Sequence, residues 1–325
     1  ARTGNYRERF EREVELASRI AHPNVIRCHD YGVTSMGALF LVMELLDGLG
    51  LKEVVRNDGR LSTRRVTDLG IQLLEGLSAA HSLGIIHRDL KPSNIYVVED
   101  HRAREVLKVL DFGLAKALEN EQIRLTKTGV ICGTAAYVAP ESLVVDEPGR
   151  AGDVYAVGLI MLEMLFGRRV YTSTQMAQTF MEQLVVPARI PRRVWDDPLG
   201  RILRKALQKH PGERYQDAGE MLDALTAASG QIEDFLLANN EIPPAAHELP
   251  KELLDDLADG RYRTVDTLYK CPRPECWSLG DEEHIDDRKT LEHVLDEISR
   301  SDIHAAFDVI LKSAVQTPRL SGIQH

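Results

Sequence analysis

The sequence predicts an α+β fold in which a short β-rich part precedes a larger helical part and an acidic helical extension follows. Two strand-like runs lie within the first 46 residues, and helical apolar patterns dominate the chain to residue 229. From residue 230 onward the charge changes. With 325 residues, 43% of them hydrophobic, the chain is long enough for two or three domains or lobes.

The first elements alternate between helical and extended patterns. Apolar residues recur at helical spacing from Tyr6 to Ile20, which predicts a helix that ends at His22-Pro23. Val25 to Tyr31 and Leu39 to Leu46 are strand-like, and a turn-prone stretch at residues 34–37 separates them. We therefore expect one helix followed by an antiparallel pair of strands.

The middle of the chain is mostly helical. A helix is predicted from Ser62, with an apolar stripe that ends at the breaker Gly84. A small hairpin follows, with strands at Ile95 to Val98 and Val106 to Leu110. Asp153 to Phe166 is apolar almost all round, which predicts the buried central helix. Two further helical patterns lie at Leu199 to Gln208 and at Ala218 to Thr226.

The last part of the chain has its own composition. Residues 231–325 contain 20 acidic and 10 basic residues, so residues 1–230 hold the remaining 30 and 30, and the net charge of −10 belongs to the tail. Apolar stripes at residues 291–298 and 303–314 predict two short amphipathic helices. We expect a regulatory or interaction module, which could pack on the helical part, on another copy or on a partner; self-association through the lobe or the tail is open.

Composition also excludes several classes of protein. There is no run of about 18 apolar residues and the first ten residues are polar, so we expect no membrane segment, no signal peptide and a cytoplasmic location. Four cysteines are too few for a disulfide scaffold. The first 230 residues carry no net charge, so no nucleic-acid-binding face is expected.

Three polar clusters in fixed order indicate the chemistry: His87 to Asn94 (HRDLKPSN), Asp111-Phe112-Gly113 and Ala139-Pro140-Glu141. Phosphoryl transfer requires that a hydroxyl, a phosphate and Mg²⁺ be held in line. Asp89 is a candidate to accept or orient a hydroxyl proton, and Lys91 to reach the phosphate. Asn94 and Asp111 supply the hard oxygen ligands that Mg²⁺ prefers. A coincidental set of surface polar residues is a poor explanation for all three clusters at this spacing.

These clusters resemble the signature motifs of protein kinases, and specifically of bacterial serine/threonine kinases of the eukaryotic-like type. The resemblance implies the two-lobed protein-kinase fold. Residues 1–46 would form a partial small lobe, residues 47–229 the helical lobe, and residues 230–325 the acidic regulatory or interaction extension. It also implies ATP and Mg²⁺ as cofactors and protein serine or threonine as the substrate.

On the nucleotide side, the resemblance assigns four residues. Glu13 matches the helix glutamate that pairs with the ATP-anchoring lysine, although it is also one acid among many on a charged helix face. Met43 would pack behind the adenine, and would be equally at home as a core methionine. The backbone of Glu44 and Leu46, rather than their side chains, would hydrogen-bond the base.

The resemblance also implies an activation segment. Arg88 would grip phosphates on Thr126 and Thr128 bidentately, ordering the segment; the alternative is that both are unmodified loop threonines. Thr134 lies in a stretch, residues 133–141, that resembles the substrate-docking loop, where such a threonine bonds the catalytic Asp and Lys. The plainer alternative for Thr134 is a turn residue.

Five residues are expected to support the site. Glu141 and Arg214 should form a buried ion pair between the activation segment and the helical lobe. Asp153 should hold the catalytic loop through its backbone amides. His87 and Phe112 should pack on the central helix, with His87 as a core histidine and not a proton shuttle.

One part of the kinase pattern is missing. A Gly-rich loop and a strand lysine should precede the Glu13 helix, but the twelve residues before Glu13 contain one glycine and no lysine. Either the parent protein has this part or the chain is a degenerate kinase, and the intact catalytic loop favours the first. A pseudokinase scaffold acting by protein binding is the alternative function. A small-molecule phosphotransferase is a second, against which the docking loop argues.

Two cysteines in the tail form a separate candidate site. Cys271 and Cys276 could bind zinc with His284 or His293, form a local disulfide, or be free thiols of a Pro-rich loop. Structural zinc takes four ligands, and a single Cys-x₄-Cys pair supplies two. The free-thiol loop is therefore favoured.

Overall fold

In the computed structural model, the described residues are 14–15, 17–36, 38–112, 135–143, 149–172, 179, 183 and 188–243. They form two small antiparallel sheets and a larger set of packed helices. Residues 14, 15, 17 and 18 are helical, as expected for the end of the first predicted helix, while residues 1–13 lie outside the described part.

The first sheet has two strands, β1 (Cys28–Val33) and β2 (Leu39–Met43). They pair antiparallel, with Cys28 opposite Met43. One face packs on Val14, whereas Phe40 and Val42 are 40% and 44% exposed. The second strand was predicted to reach Leu46 but ends at Met43. The Glu44 N–H still donates to the carbonyl of Arg27 at 3.0 Å, but the Arg27 N–H donates to the Glu44 carboxylate instead of to a backbone carbonyl.

The second sheet consists of β3 (Gly48–Gly50), β4 (Ile95–Glu99) and β5 (Glu105–Val109), in that order. The β4–β5 hairpin confirms the prediction. Strand β3 was not predicted, because three residues are too short to show a strand pattern. A Cβ at Gly48 would lie 2.3 Å from the carbonyl oxygen of Val97, so only glycine allows this backbone approach.

Six helices are described: α1 (Leu51–Asp58), α2 (Thr63–Ser82), α3 (Arg150–Phe166), α4 (Arg192–Asp196), α5 (Pro198–Ala206) and α6 (Ala218–Ser229). The predicted Ser62 start is confirmed, since Ser62 Oγ accepts the Arg65 N–H at the α2 N-cap. The central helix α3 begins three residues before its predicted start, and 15 of its 17 residues are buried. It ends at Gly167, whose φ of 69° is left-handed. The core therefore centres on α3, against which α2, α5 and α6 pack.

After α6 the chain continues on the surface of the helical part. Ile232, Phe235 and Leu237 are buried in the same core as α3. Phe235 accepts the Thr63 N–H at 2.9 Å and lies 4.0 Å from the guanidinium of Arg193. Residues 231–243 thus belong physically to the helical part, and the predicted division of the chain at residue 230 stays a prediction.

A short segment fixes the first sheet to the helical part. Asn24 Nδ2 donates to the carbonyl of Leu107 at 2.9 Å and to Gln72 Oε1 at 3.0 Å. Val25 forms an isolated bridge with Val109, and the Val109 N–H donates to the Asn24 carbonyl at 2.8 Å. These bonds fix the segment just before β1 to α2 and to β5.

Candidate active site

Asp89, Lys91 and Asn94 lie together on the loop between α2 and β4. Lys91 Nζ is 2.6 Å from Asp89 Oδ2. Asn94 Nδ2 donates to the Asp89 carbonyl at 2.9 Å and to Asp89 Oδ2 at 3.3 Å. The side chains of Asp89 and Lys91 are 26% and 22% exposed, so the cluster is held by the protein but open to a substrate. The structure brings these three predicted residues together.

A buried carboxylate on α3 binds the backbone of the loop that contains Asp89, Lys91 and Asn94. Asp153 Oδ2 accepts the His87 N–H at 2.7 Å, and Asp153 Oδ1 accepts the Arg88 N–H at 2.9 Å. These are the backbone amides that the sequence analysis expected. Arg88 has a left-handed φ of 65°, a strained conformation for a non-glycine residue. The two bonds to Asp153 stabilise this turn.

The charge of Asp153 is itself stabilised. Burial acts to raise its pKa, but the hydrogen bond from His81, the electrostatic interaction with the His87 and His81 rings, and the bond from the His87 N–H together lower it below the ordinary value of 3.8. Asp153 is therefore ionised at neutral pH although it is 3% exposed. An ionised acceptor forms stronger bonds to the two loop amides than a neutral one.

His81 completes this anchor and was not predicted. His81 Nδ1 accepts the Ala218 N–H at 3.1 Å, so its proton is on Nε2, which lies 3.0 Å from Asp153 Oδ2. One imidazole thus joins α2, α3 and α6. The sequence places His81 at the end of the α2 pattern, but its partners lie 72 and 137 residues away, and no local pattern shows that.

The Asp111 segment is fixed to the catalytic loop through its backbone. The Leu110 N–H donates to the Asn94 carbonyl at 2.8 Å, and His87 Nε2 is 2.9 Å from the Leu110 carbonyl. Asp111 has a φ of 56°, which turns the chain immediately after this contact. Asn94 and Asp111, the two predicted metal ligands, therefore lie on two backbone segments that are hydrogen-bonded to each other.

His87 and Phe112 lie in the interior beneath the site. His87 is fully buried and Phe112 is 3% exposed, and their ring centroids are 4.9 Å apart. His87 Nδ1 accepts the Asp89 N–H at 3.3 Å. Both ring nitrogens of His87 are thus used in the interior, as expected for a core histidine.

Glu141 and Arg214 form a bidentate pair. Arg214 Nη1 and Nη2 lie 2.7 Å from Glu141 Oε1 and Oε2, and the side chains are 0% and 9% exposed. The guanidinium also donates to the carbonyls of Ala151, Gln208 and Lys209. A buried charge pair with all these donors satisfied fixes the Ala-Pro-Glu turn to the start of α3.

A second contact fixes residues 135–137, part of the predicted docking segment (residues 133–141), to α3. Tyr137 donates its hydroxyl to Glu163 Oε2 at 2.5 Å, and both side chains are buried. Burial raises the pKa of Glu163. The hydrogen bond from Tyr137 and the charges of Arg169 and Lys52 offset this rise only in part. Burial, followed by the Glu163 charge, also raises the pKa of Tyr137, so the phenol keeps its proton.

With this geometry in place, comparison with known proteins gives the family. The sequence profile described as protein kinase domain matches residues 2–226. The chain belongs to the protein kinase domain family. The recognition made from the three motifs is confirmed.

Relatives of this kinase domain include several bacterial enzymes. Serine/threonine-protein kinase pkn3 of Myxococcus xanthus is 36% identical over 213 residues, which are 63% of this chain and 39% of the relative. Serine/threonine-protein kinases PknB and PknA of Mycobacterium tuberculosis are 32% and 33% identical, over 78% and 68% of this chain. They are covered over 39% and 51% of their own lengths, so the chain spans about two fifths to half of these relatives.

A solved structure supports the fold. Rad53 residues 1–466, determined in complex with AMP-PNP, matches with a TM-score of 0.55 and 25% identity, covering 67% of this chain and 54% of that one. The predicted α+β kinase fold is confirmed. Within the residues that the structure describes, no helix is both long and apolar enough to cross a membrane.

The predicted hinge of the kinase domain follows β2. Met43 is 39% exposed at the end of the strand. The carboxylate of Glu44 is used within the protein, since it accepts the Arg27 N–H and the Lys108 ammonium, each at 2.8 Å. Leu46 is half-buried two residues on. The carboxylate and the N–H of Glu44 are thus bonded within the protein, and the contact of its backbone with a base stays a prediction.

The remaining predicted residues lie outside the described part of the chain, and their roles stay predictions. They are Glu13, the activation-segment residues Thr126, Thr128 and Thr134, and the cysteine pair Cys271 and Cys276.

Proposed function

We propose that this chain catalyses transfer of the ATP γ-phosphate to serine or threonine hydroxyls of proteins. The observation that carries the proposal is the Asp89, Lys91 and Asn94 cluster, held by Asp153 and partly open to solvent. The names of the bacterial relatives support the serine/threonine class. The resemblance of residues 133–141 to a substrate-docking loop supports a protein substrate.

The residues present fit Mg²⁺. Asn94 directs its amide nitrogen at Asp89, so its oxygen faces away from Asp89; it accepts a long bond from Ser93 Oγ at 3.5 Å and keeps a second lone pair for a metal. Asp111 adds a carboxylate from the adjoining segment. This pair of hard oxygen donors is of the type that Mg²⁺ prefers. A bound Mg²⁺ would neutralise charge on the nucleotide phosphates.

The catalytic work of the chain itself falls to two groups. Asp89 accepts or orients the proton of the substrate hydroxyl, and the Asn94 amide, through its bonds to Asp89, keeps that carboxylate in place. Lys91, adjacent to Asp89, places a positive charge where the transferring phosphate develops negative charge. Met43, Glu44 and Leu46 border the nucleotide, and Glu13 is assigned to the lysine-pairing position.

Regulation is part of the proposal. Arg88 follows the buried His87 in the loop anchored by Asp153, so a phosphate on Thr126 or Thr128 that binds Arg88 would act directly on the catalytic loop. Thr134 would bond Asp89 and Lys91 when the segment is ordered. The acidic tail would regulate the domain or bind partners, with self-association as one form of such binding. Mass spectrometry of active protein that finds Thr126 and Thr128 unmodified would contradict the phosphorylation step.

The decisive experiment compares Asp89→Asn with wild type in a γ-phosphate transfer assay on the full-length protein. Autophosphorylation and peptide phosphorylation should fall by about 10²- to 10⁴-fold, the usual contribution of a positioned acid or base. Asp100→Asn is the matched control, because Asp100 is on the β4–β5 turn and its carboxylate bonds to Arg102 and Arg104 of the same turn.

Equal activity of wild type and Asp89→Asn would sink the catalytic assignment and favour a protein-binding scaffold. Omission of Mg²⁺ in the presence of a chelator should abolish transfer by the wild type. Activity that persists without the metal would contradict the roles of Asn94 and Asp111.

A further inference from the structure

A buried lysine that the proposed chemistry does not use lies behind the docking segment. Lys209 is 3% exposed. Its ammonium lies 3.0 Å from Tyr155 Oη, 3.2 Å from Tyr171 Oη and 2.7 Å from the Gln183 carbonyl. Burying an ammonium is costly, so a position that only needed filling would be served better by methionine. The cation is therefore expected to do something that an apolar side chain cannot.

The bonds beyond Lys209 have a fixed direction. An ammonium can only donate, so Tyr155 Oη accepts from Lys209 and its single proton is free to be donated onward. Tyr155 donates it to Gln183 Oε1 at 2.8 Å. Because the amide oxygen of Gln183 is used in this way, its NH₂ group faces the other side, where Nε2 donates to the Ala136 carbonyl at 2.7 Å.

Both intermediate side chains are in the interior. Tyr155 and Gln183 are each fully buried, and Ala136 is 7% exposed. Hydrogen bonds in such surroundings are strong and few alternative partners are available. Lys209, acting through the Tyr155 hydroxyl, thus determines the orientation of the Gln183 amide. The Gln183 amide in turn holds the Ala136 carbonyl in position.

We propose that Lys209, Tyr155 and Gln183 are positioning residues, a docking relay that fixes the backbone at Ala136 and so determines how tightly a peptide substrate binds. This inference rests on the proposed function, because it assigns the binding of the peptide substrate in that reaction to these residues. Ala136 lies between Thr134 and Tyr137 in the docking segment. A shift there moves the surface that receives the peptide, while Asp89, Lys91 and Asn94 keep their own anchor on Asp153.

Tyr155→Phe tests the relay in the full-length protein. It removes one hydroxyl and keeps the ring that lies 4.7 Å from the Arg214 guanidinium. With a serine/threonine peptide that wild type phosphorylates, we expect the peptide KM to rise about 5- to 10-fold, as for the loss of one ordinary hydrogen bond. kcat and the KM for ATP should stay within about twofold, because the catalytic loop is anchored elsewhere.

Tyr171→Phe is the matched control. It removes the other hydroxyl next to Lys209, which also bonds to Tyr155, and leaves the Lys209–Tyr155–Gln183–Ala136 bonds in place. Its peptide KM should remain within about twofold of wild type. Equal peptide KM values for the two variants, or a loss in kcat without a change in KM, would overturn the relay.

Two further measurements keep the test decisive. Gln183→Leu removes the last link and should raise the peptide KM as Tyr155→Phe does; a wild-type value would overturn the proposal even if Tyr155→Phe folds poorly. Hydrogen exchange at residues 135–143 should be faster in Tyr155→Phe than in Tyr171→Phe, and this readout needs no activity. If wild type phosphorylates no peptide, the proposed function fails, and hydrogen exchange still supports or overturns the relay.

Discussion

The helical part around α3 and the two-stranded β1–β2 sheet differ in how they hold the residues assigned to catalysis and to the nucleotide. Fifteen of the 17 residues of α3 are buried, and its Asp153 anchors the catalytic loop. On β2, Phe40, Val42 and Met43 are 39% to 44% exposed. The catalytic loop thus depends on interior hydrogen bonds, whereas the hinge depends on contacts that water screens.

The difference in burial between α3 and the β1–β2 sheet predicts a difference in how much each contributes to the free energy of unfolding. Charges in the interior interact strongly and are costly when left unpaired, while exposed pairs contribute little. Substitutions around α3 should therefore change stability and activity together. Equivalent substitutions around β1–β2 should change stability much less.

The largest effect is expected when the buried ion pair is broken. Arg214→Met leaves the carboxylate of Glu141 buried without its partner and should lower the free energy of unfolding by about 3–5 kcal/mol. Urea denaturation measures this. Arg19→Met is the control, because Arg19 forms an exposed pair with Glu15 at 2.8 Å, close to the 2.7 Å of the buried pair, and should cost less than about 0.5 kcal/mol. Similar losses for both variants would contradict the contrast between buried and exposed charge pairs.

An apolar pair of substitutions makes the same comparison without charge. Leu159 on α3 is 1% exposed, and Leu159→Ala should lower the free energy of unfolding by about 2–5 kcal/mol through lost burial and a cavity. Phe40→Ala removes a larger side chain but one that is 40% exposed, and should cost less than about 1 kcal/mol. A larger loss for Phe40→Ala than for Leu159→Ala in thermal or urea unfolding would show that the sheet is packed more tightly than the helix.

Asp153 makes a pH-dependent contribution. Because its pKa is lowered in the folded protein, the carboxylate stabilises the fold fully above its ordinary pKa of 3.8, and this stability is lost as pH falls through the lowered value. Asp153→Asn should cost about 1–3 kcal/mol at pH 7 and flatten the acid limb of stability against pH. Urea midpoints measured from pH 7 to about pH 3 test this, and an unchanged acid limb would show that Asp153 is not the responsible group.

The smallest effect is expected at Glu44. Burial acts to raise its pKa, but the bonds from Lys108 and the Arg27 N–H lower it overall, so its contribution is also present above its ordinary pKa and lost at lower pH. Its side chain is 27% exposed, so Glu44→Gln should cost no more than about 1 kcal/mol. Urea denaturation at pH 7 measures this. If Glu44→Gln lowered the free energy of unfolding as much as Asp153→Asn, the hinge would depend on its partly buried charge as strongly as the catalytic loop does.

Much of the fold could be predicted because its signals are local. The α2 start at Ser62, the β4–β5 hairpin and the all-round apolar character of α3 each follow from a few neighbouring residues. Asp89, Lys91 and Asn94 were predicted together because one short loop contains all three. The strand β3 was missed because three residues carry no period, and β2 was predicted too long because the Glu44 side chain accepts the Arg27 N–H that would otherwise continue the backbone ladder.

The support beneath the site was less predictable. Glu141, Asp153 and Arg214 were predicted from the resemblance, but His81 and Gln183 were not. Each of these two is an ordinary polar residue in its local sequence. They became visible only when helices remote in sequence were packed together.

The order of side chains along the chain determined the class of fold, the positions of most helices and the loop on which the phosphotransfer residues lie, because periodicity and short polar clusters act over a few residues. Tertiary packing alone decided that Asp153 is ionised in the interior, that one imidazole joins three helices, and that Lys209 orients Gln183 toward Ala136. The reason is physical: the partners in these contacts are between 26 and 137 residues apart, and only burial removes the water that would otherwise take their place.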